Sequence, residues 1–230
     1  MCFDCVVFDF NGTLFWDTPL HNRAWDLFLE DHHITISDEQ KNRVLHGKHN
    51  QEILKMLFNH DLTTGEADYF INEKENIYQE LVRETGLKLA PGVEDFLDFL
   101  YGNRTRFTIA TASGIENVNF YFEYLDLARW FDLSKVVFNN GKIKSKPDPE
   151  IFIAAMNMLE ADPLRTVIFE DSDTGIRAAL AALPGKVIRV NSTGSDDCPA
   201  GMETISHFGQ VPREIFCRNI DGFETVRNRE

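Results

Sequence analysis

Polar side chains that could do chemistry come directly after three short apolar runs of the sequence. Asp9 and Asn11 follow the first run, Thr111 follows the second, and Glu170 and Asp171 follow a later one. Clustered carboxylates are costly to bury unless a cation neutralises them, and an all-oxygen ligand set suits Mg2+. These residue types therefore predict metal-dependent chemistry, provided that the fold brings the ends of the runs together.

A positively charged side chain is also available for such a site. Lys146 lies in the segment Ser145-Lys146-Pro147-Asp148-Pro149, whereas the whole chain has a formal charge of -14, from 23 basic and 37 acidic residues. Because this field repels anions, an anionic substrate must be attracted by a metal ion or by a placed lysine. The same charge argues against nucleic acid and anionic membrane surfaces as partners.

Unalternated apolar runs predict five short strands that are buried on both faces, as in a parallel sheet. These runs lie at 5–8, 107–110, 136–138, 166–169 and 186–190. Segments with helical spacing follow at 93–100, 118–125, 151–159 and 176–183. The alternation favours a doubly wound, Rossmann-like α/β fold, in which ligands bind at the carboxyl ends of the strands.

The stretch from about 17 to 90 breaks this alternation, because it has helix signals and no convincing strand. Capping-box patterns begin at Ser37 and Thr63, and an apolar stripe runs from 67 to 82. We interpret this stretch as an inserted all-helical cap. The expected division is a discontinuous core at 1–15 and 91–230 with a cap at 16–90.

Composition excludes several classes of protein. An apolar fraction of 43% with 19 Phe is incompatible with a disordered chain, and no apolar run approaches the roughly 18 residues of a membrane helix. The first residues carry no secretory signal, so a cytoplasmic location is expected. Cys2 and Cys5 have the C-x-x-C spacing of redox pairs, but they lead into an apolar strand, and Cys5 is interpreted as a small core residue.

Four segments of the sequence resemble, in order, the motifs of the haloacid-dehalogenase-like superfamily. They are Asp9-Phe10-Asn11-Gly12-Thr13, Thr111-Ala112-Ser113, Lys146-Pro147-Asp148-Pro149 and Glu170-Asp171-Ser172-x-x-Gly175. Within the superfamily, the chain is most similar to the β-phosphoglucomutase-like group of sugar-phosphate phosphatases and mutases. The segment His21-x-x-Ala24-Trp25 resembles the entry into that group's helical cap. The resemblance extends to about residue 190, and four ordered motifs make it specific.

The resemblance implies that Asp9 attacks phosphorus and becomes an aspartyl phosphate. Thr111, the backbone N–H groups near it, including that of Ala112, and the turn at Gly12 would hold the phosphoryl oxygens. Lys146 would neutralise the nucleophile and the group that is transferred.

The resemblance also implies a Mg2+ site. Asp171, with Glu170 as a direct or outer-shell partner, would hold the ion together with Asp9 and the backbone carbonyl of Asn11. A backbone ligand tolerates a change of side chain at position 11.

The sequence departs from the family pattern at Asn11, where the phosphatases and mutases have an aspartate. That aspartate protonates the leaving oxygen and later activates water, which is worth roughly 100- to 10,000-fold in rate, and an amide cannot do either. Three outcomes follow: a weakened phosphatase, an enzyme whose substrate needs no acid, such as an acyl or aryl phosphate, or an enzyme whose acid comes from the cap.

The cap offers His21, His46, Lys48 and His49 as proton donors, and 47–50 resembles the group's specificity loop. His21, Lys48 and His49 are therefore also expected to contact the substrate. Lys48 could instead form a Schiff base, as in phosphonate hydrolases that likewise lack the second aspartate. Asn50 aligns with an arginine that holds a second phosphate in the mutases, which ranks a mutase below a phosphatase.

The expected function is hydrolysis of a small phosphorylated metabolite, such as a sugar phosphate, by a monomer or a weak homodimer with Mg2+. Closure of the cap would exclude water and select the substrate. The competing hypothesis is a non-catalytic module that binds Mg2+ and a phosphorylated ligand as a sensor, because Asn11 keeps the binding groups and removes the proton donor.

Overall fold

A computed structural model of the chain describes residues 2–37, 40–41, 50–58, 60–194 and 201–217. The expected cap residues His46, Lys48 and His49 lie outside these ranges. Within them, six parallel strands form one sheet in the order β3-β2-β1-β4-β5-β6. The strands are β1 Cys5–Phe8, β2 Arg106–Thr111, β3 Val137–Phe138, β4 Thr166–Glu170, β5 Lys186–Val190 and β6 Thr204–Ile205.

Seven α-helices with described bounds accompany the sheet, besides five short 3-10 helices. They are α1 Thr18–Asp31, α2 Asn50–Phe58, α3 Thr64–Thr85, α4 Val93–Gly102, α5 Ile115–Tyr124, α6 Glu150–Met158 and α7 Asp173–Ala181. None of these helices is long and apolar enough to cross a membrane. The doubly wound parallel sheet and its helical insertion are thus confirmed, and β6 is an addition to the five predicted strands.

The strand order puts β1 at the centre of the sheet, between β2 and β4. Phe8, the last residue of β1, is in register with Ile109 of β2 and with Phe169 of β4. The chain crosses from β1 to β2 on one side and reaches β4 on the other. The residues that follow β1, β2 and β4 consequently emerge side by side at one edge, where doubly wound sheets bind ligands.

Burial on both faces explains the unalternated strand sequences. Phe8 packs on one face against Phe96, Phe169 and Phe208, with ring centroids 5.2–6.2 Å apart. Val7 points to the opposite face, in a second core cluster with α6 and α7. Both residues are fully buried.

The predicted apolar stripe at 176–183 is wrong at its end. Helix α7 ends at Ala181, and Leu183 lies beyond it with a φ of 55° and 73% exposure. Leu180 is also exposed. Pro184 is the physical reason, because a residue that precedes proline is disfavoured in helical conformation.

The inserted segment has a small core of its own, formed by Trp25, Phe28, Ile53 and Leu54. The two segments that connect the insertion to the sheet domain pair with each other. The Ala90 amide donates to the Leu14 carbonyl at 2.9 Å, and Phe15 forms a β-bridge with Leu89. The predicted domain boundaries at 15/16 and 90/91 fall next to these paired residues and stay a prediction.

Both capping-box patterns form the expected hydrogen bonds. The Ser37 hydroxyl accepts from the Gln40 amide while the Gln40 side chain accepts from the Ser37 amide. Thr63 and Glu66 make the same reciprocal pair at the start of α3. These side chains satisfy backbone donors that the first turn of a helix leaves free.

The two C-x-x-C cysteines do not pair with each other. Cys2 forms a disulfide with Cys217, at a Cα–Cα distance of 5.4 Å, beside a β-bridge between Phe3 and Phe216. Burial raises the pKa of the Cys5 thiol to about 12, so this side chain stays protonated inside the sheet. Its surroundings agree with its interpretation as a core residue.

Candidate active site

The turn after β1, the end of β4 and the loop before α6 bring three charged side chains together. The Lys146 ammonium donates to Asp9 Oδ1 at 2.6 Å and to Glu170 Oε1 at 2.8 Å. All three side chains are at least nine-tenths buried. Burial opposes the charge on Lys146, but its two carboxylate partners raise its pKa above the usual value and keep it protonated.

Two glycines allow the backbone to approach the carboxylates of this site. A Cβ atom on Gly12, whose φ is 80°, would lie 2.1 Å from Asp171 Oδ2, and a Cβ on Gly175 would lie 1.8 Å from Glu170 Oε1. Glu170 also accepts the Ser172 amide at 2.7 Å. Neither glycine position has room for a side chain while the carboxylates keep these positions.

The carboxylates of Asp9, Glu170 and Asp171 have oxygens that all lie within 4.8 Å of one another. Lys146 contacts two of these groups, so three carboxylates share one cation and leave an excess of negative charge. Burial and the neighbouring carboxylates raise the pKa of Asp171 well above its usual value. A buried all-oxygen set with uncompensated charge fits Mg2+, for which the Asn11 carbonyl would be an additional ligand.

The same imbalance acts on Asp9. Burial, the largest effect, raises the pKa of Asp9, Lys146 lowers it and Glu170 raises it, and the net result is a pKa of about 7. The carboxylate is therefore only partly ionised near neutral pH until a second cation arrives. In ionised form, Asp9 has its Oδ1 atom held by Lys146, and its second oxygen is the one that would bind a metal ion or attack phosphorus.

The side chain of Asn11 is held on both sides of its amide group. Its Oδ1 accepts from the Ser113 hydroxyl at 2.9 Å and from Thr111 at 3.3 Å. Its Nδ2 donates to Asp17 Oδ2 at 2.7 Å and to the Tyr121 hydroxyl at 2.9 Å. These four hydrogen bonds hold the neutral side-chain amide of Asn11 in one orientation.

Asp17 is a fully buried carboxylate behind Asn11. It accepts from the Gly12 amide at 3.2 Å and from the Tyr78 hydroxyl, and the His21 Nε2 atom lies 3.4 Å from it. Four groups from the core and the cap therefore converge on this one side chain. They satisfy a charge that would otherwise be costly to bury.

The cap contributes a second buried charge pair. Lys74 on α3, only 1% exposed, contacts His21 Nδ1 and Glu75 Oε1, each at 3.0 Å. Glu75 also accepts from Asn50 at 2.6 Å and from Asn117 of the core at 2.7 Å. Burial raises the pKa of Glu75, but Lys74, His21 and the two amides outweigh it and lower the pKa to about 2.

An inner cavity of about 160 Å³ lies between the core and the cap. Asp9, Lys146, Glu170 and Asp171 form its floor, and His21, Lys74 and Glu75 are among the cap residues of its wall. The predicted nucleophile, the predicted metal ligands and two lysines thus border one space. Such an arrangement suits a phosphoryl group between the carboxylate and the cap.

The structure brings most of the predicted residues to this site. Asp9, Asn11, Ala112, Lys146, Glu170, Asp171 and His21 line the inner cavity. The Thr111 hydroxyl instead donates to Asn11 and accepts the Ser113 amide, and the Gly12 amide donates to Phe15 and Asp17. The roles of these residues stay predictions, and Lys48 and His49 are outside the described residues.

Sequence reasoning missed Asp17, Lys74 and Glu75. The sequence did carry a signal for Lys74 and Glu75, because they occupy positions in the apolar stripe of α3. The stripe continues with Tyr78 and Val82, which are buried. Charged residues on a buried helical stripe are rarely buried without a partner. Asp17 precedes α1, one turn before His21, and only the tertiary fold shows that it is buried.

The protein-family model for haloacid dehalogenase-like hydrolases matches residues 3–182. A phosphorylated carbohydrates phosphatase of Thermotoga maritima is 28% identical over 183 residues, which are 78% of this chain and 81% of that protein. A β-phosphoglucomutase of Bacillus subtilis is 27% identical over 183 residues, 77% of this chain and 79% of its own length.

Among solved structures, a family IA haloacid-dehalogenase hydrolase of Entamoeba histolytica superposes with a TM-score of 0.81 at 30% identity. The superposition covers 92% of this chain and 96% of that one. The family match, the parallel sheet and the helical insertion agree with each other. The chain belongs to the haloacid dehalogenase-like hydrolases, in the β-phosphoglucomutase-like group of phosphatases that carry a cap.

Proposed function

We propose that this chain is a Mg2+-dependent phosphatase that hydrolyses the monoester of a small phosphorylated metabolite, such as a sugar phosphate. The observation that carries the proposal is the geometry of Asp9. One of its oxygens is held by Lys146, and the carboxylate faces a cavity that also holds Glu170 and Asp171. The name of the Thermotoga maritima relative, a phosphorylated carbohydrates phosphatase, supports this class of substrate.

In the proposed first step, the free oxygen of Asp9 forms a bond to phosphorus and the bond to the leaving oxygen breaks. Lys146 keeps Asp9 in place and neutralises charge on the transferred group. In the second step, water attacks the aspartyl phosphate, which releases inorganic phosphate and restores the carboxylate. When bound, Mg2+ would neutralise phosphoryl charge beside Asp9 and Asp171.

The leaving oxygen needs a proton that Asn11 cannot supply. Of the four proton donors that the sequence predicts in the cap, His21 is the one that lies within the described residues, and it lines the inner cavity. The Lys74 ammonium can only donate, so His21 Nδ1 accepts from it and the Nε2 atom, which lies 3.4 Å from Asp17 Oδ2, carries the hydrogen that would have to reach the leaving oxygen. A substrate with a good leaving group, such as an acyl or aryl phosphate, would need no such donor.

The second candidate function is a sensor that binds Mg2+ and a phosphorylated ligand without turnover. Asn11 supports this function, because the chain keeps the groups that would bind Mg2+ and phosphate, whereas the amide cannot donate a proton to a leaving group. A phosphonate hydrolase would depend on Lys48, which the described residues do not include. A mutase would need a bisphosphate and a second anion site.

The experiment is Mg2+-dependent phosphate release from aryl, acyl and sugar phosphates and phosphonoacetaldehyde, with wild type compared with Asp9→Asn. Turnover above the Asp9→Asn background supports the phosphatase, and the preferred leaving group tells whether an acid acts. Binding of beryllium fluoride at Asp9 without turnover of any compound would overturn it in favour of the sensor.

A further inference from the structure

A second, outer cavity of about 530 Å³ adjoins the inner one. Its size is within the roughly 300–1,000 Å³ of small-molecule sites. Asn50, Glu75 and Ala112 line both cavities, so the two spaces share one wall. A leaving group bonded to a phosphoryl group at Asp9 has this cavity as its neighbouring space.

The described lining of the outer cavity is polar and includes no cation. Among the described residues that line it, none is lysine, arginine or histidine, three are carboxylates, and six are amides. The Oδ1 atoms of Asn139 and Asn140 accept the amides of Gly141 and Lys142, which leaves their Nδ2 groups as donors. Amides both donate and accept, as hydroxyl groups do.

Glu116 lies beside the N-terminus of helix α5, at the wall of the outer cavity. Helix α5 begins at Ile115 with Gly114 as its N-cap, and no side chain of Gly114 can cap it. The Glu116 carboxylate lies near this end of the helix, since its Oε2 is 3.0 Å from the position of a Cβ on Gly114. The N-terminus of a helix attracts anions, and in this chain the Glu116 carboxylate is the anion beside it.

We propose, on the basis of the phosphatase function above, that the outer cavity receives an uncharged, hydroxyl-rich leaving group and that Glu116 excludes substrates with a second phosphate. Glu116 is the specificity-determining residue in this account. A distal phosphate would meet the carboxylates of Glu116 and Asp68 without a cation among the described lining residues, whereas the charge of Glu75 is already paired with Lys74. A sugar or polyol hydroxyl would meet amides.

The test measures binding in the arrested Asp9→Asn protein, so that it does not depend on turnover. Calorimetric titration at low ionic strength, with Mg2+, compares a hexose 1-phosphate with the corresponding hexose 1,6-bisphosphate. We expect the monophosphate to bind more tightly by roughly fivefold or more. A single exposed charge has a weak effect, but the second phosphate carries nearly two negative charges, so its repulsion from Glu116 is larger. Low salt keeps the repulsion unscreened.

Adding Glu116→Gln should narrow this preference, and adding Glu116→Lys should reverse it. Glu123→Gln removes an exposed charge from the same helix outside the cavity and is the matched control; it should leave the preference unchanged. Equal or tighter binding of the bisphosphate, binding of neither compound, or no response to Glu116→Gln would overturn the proposal. Turnover is measured separately, with protein that has an intact Asp9. If the monophosphate binds selectively but no substrate is turned over, the phosphatase proposal fails and the role of Glu116 stands.

Discussion

The amide of Asn11 donates a hydrogen bond to Asp17, with 2.7 Å between Nδ2 and Oδ2. Asp17 is fully buried, and its remaining contacts include the Tyr78 hydroxyl and the Gly12 amide. A carboxylate at position 11 would face a second carboxylate at hydrogen-bond distance, and such a pair cannot be doubly ionised near neutral pH. Positions 11 and 17 therefore form a matched pair of an amide and an acid.

Exchanging the two groups should create a phosphatase with its own general acid. In the double variant Asn11→Asp/Asp17→Asn, the pair survives with the carboxyl group nearer to Asp9. We expect kcat for a sugar phosphate to rise at least ~10-fold, below the roughly 100- to 10,000-fold of an ideally placed acid. An aryl phosphate, whose leaving group needs no proton, should change less. An equal effect on both substrates would contradict this explanation.

The single variant Asn11→Asp should depend on pH in its stability. Two adjacent carboxylates share a proton, which raises the pKa of the pair in the folded state above that of the unfolded chain. A raised pKa gives stability at low pH that is lost as pH increases. The melting temperature of Asn11→Asp should therefore lie further below that of wild type at pH 8 than at pH 5. A pH-independent difference would mean that the two groups do not interact.

Binding of Mg2+ should release protons. Burial, partly offset by Lys146, raises the pKa of Asp9 to about 7 in the metal-free protein, so a proton must leave before the carboxylate can act as a ligand. Affinity should accordingly increase as pH rises through 7. Calorimetry in two buffers of different ionisation enthalpy gives the number of protons released. Equal affinity at pH 6 and pH 8 would argue that Asp9 is already ionised.

Removal of Lys74 should destabilise the cap. Lys74→Met leaves the Glu75 carboxylate buried without its ammonium partner, and breaking a buried pair in this way costs about 3–5 kcal/mol. The double variant Lys74→Met/Glu75→Gln removes both charges and keeps one of the two hydrogen bonds that Glu75 accepts from Asn50 and Asn117, so its loss of stability should be smaller. Urea unfolding at pH 7 measures both variants. A double variant as unstable as the single one would show that packing, not charge, dominates.

The sequence predicts the sheet and the floor of the site well because both depend on local patterns. Unalternated apolar runs identify β1, β2 and β4, and parallel pairing then places Asp9 and Glu170 at the same edge. Strand β6 has only two residues, Thr204 and Ile205, which is too short for any period to be seen. Its pairing with β5 depends on contacts between distant parts of the chain.

The wall of the site is less predictable because its charges are assembled by tertiary packing. Asp17 and Tyr78 contact each other across 61 positions of sequence, and Glu75 and Asn117 across 42. Each residue alone reads as an ordinary polar or helical position. The burial that gives these pairs their importance appears only when α3 packs against the core.

Detection of a phosphoryl group on Asp9 tests the proposed mechanism most directly. Protein with Mg2+ is mixed with an aryl phosphate and quenched in acid within the first turnovers, and the peptide that contains Asp9 is analysed by mass spectrometry. We expect a mass increase of one phosphoryl group in wild type and none in Asp9→Asn. Continued release of phosphate by Asp9→Asn, or a phosphoryl group on a different residue in wild type, would contradict Asp9 as the nucleophile.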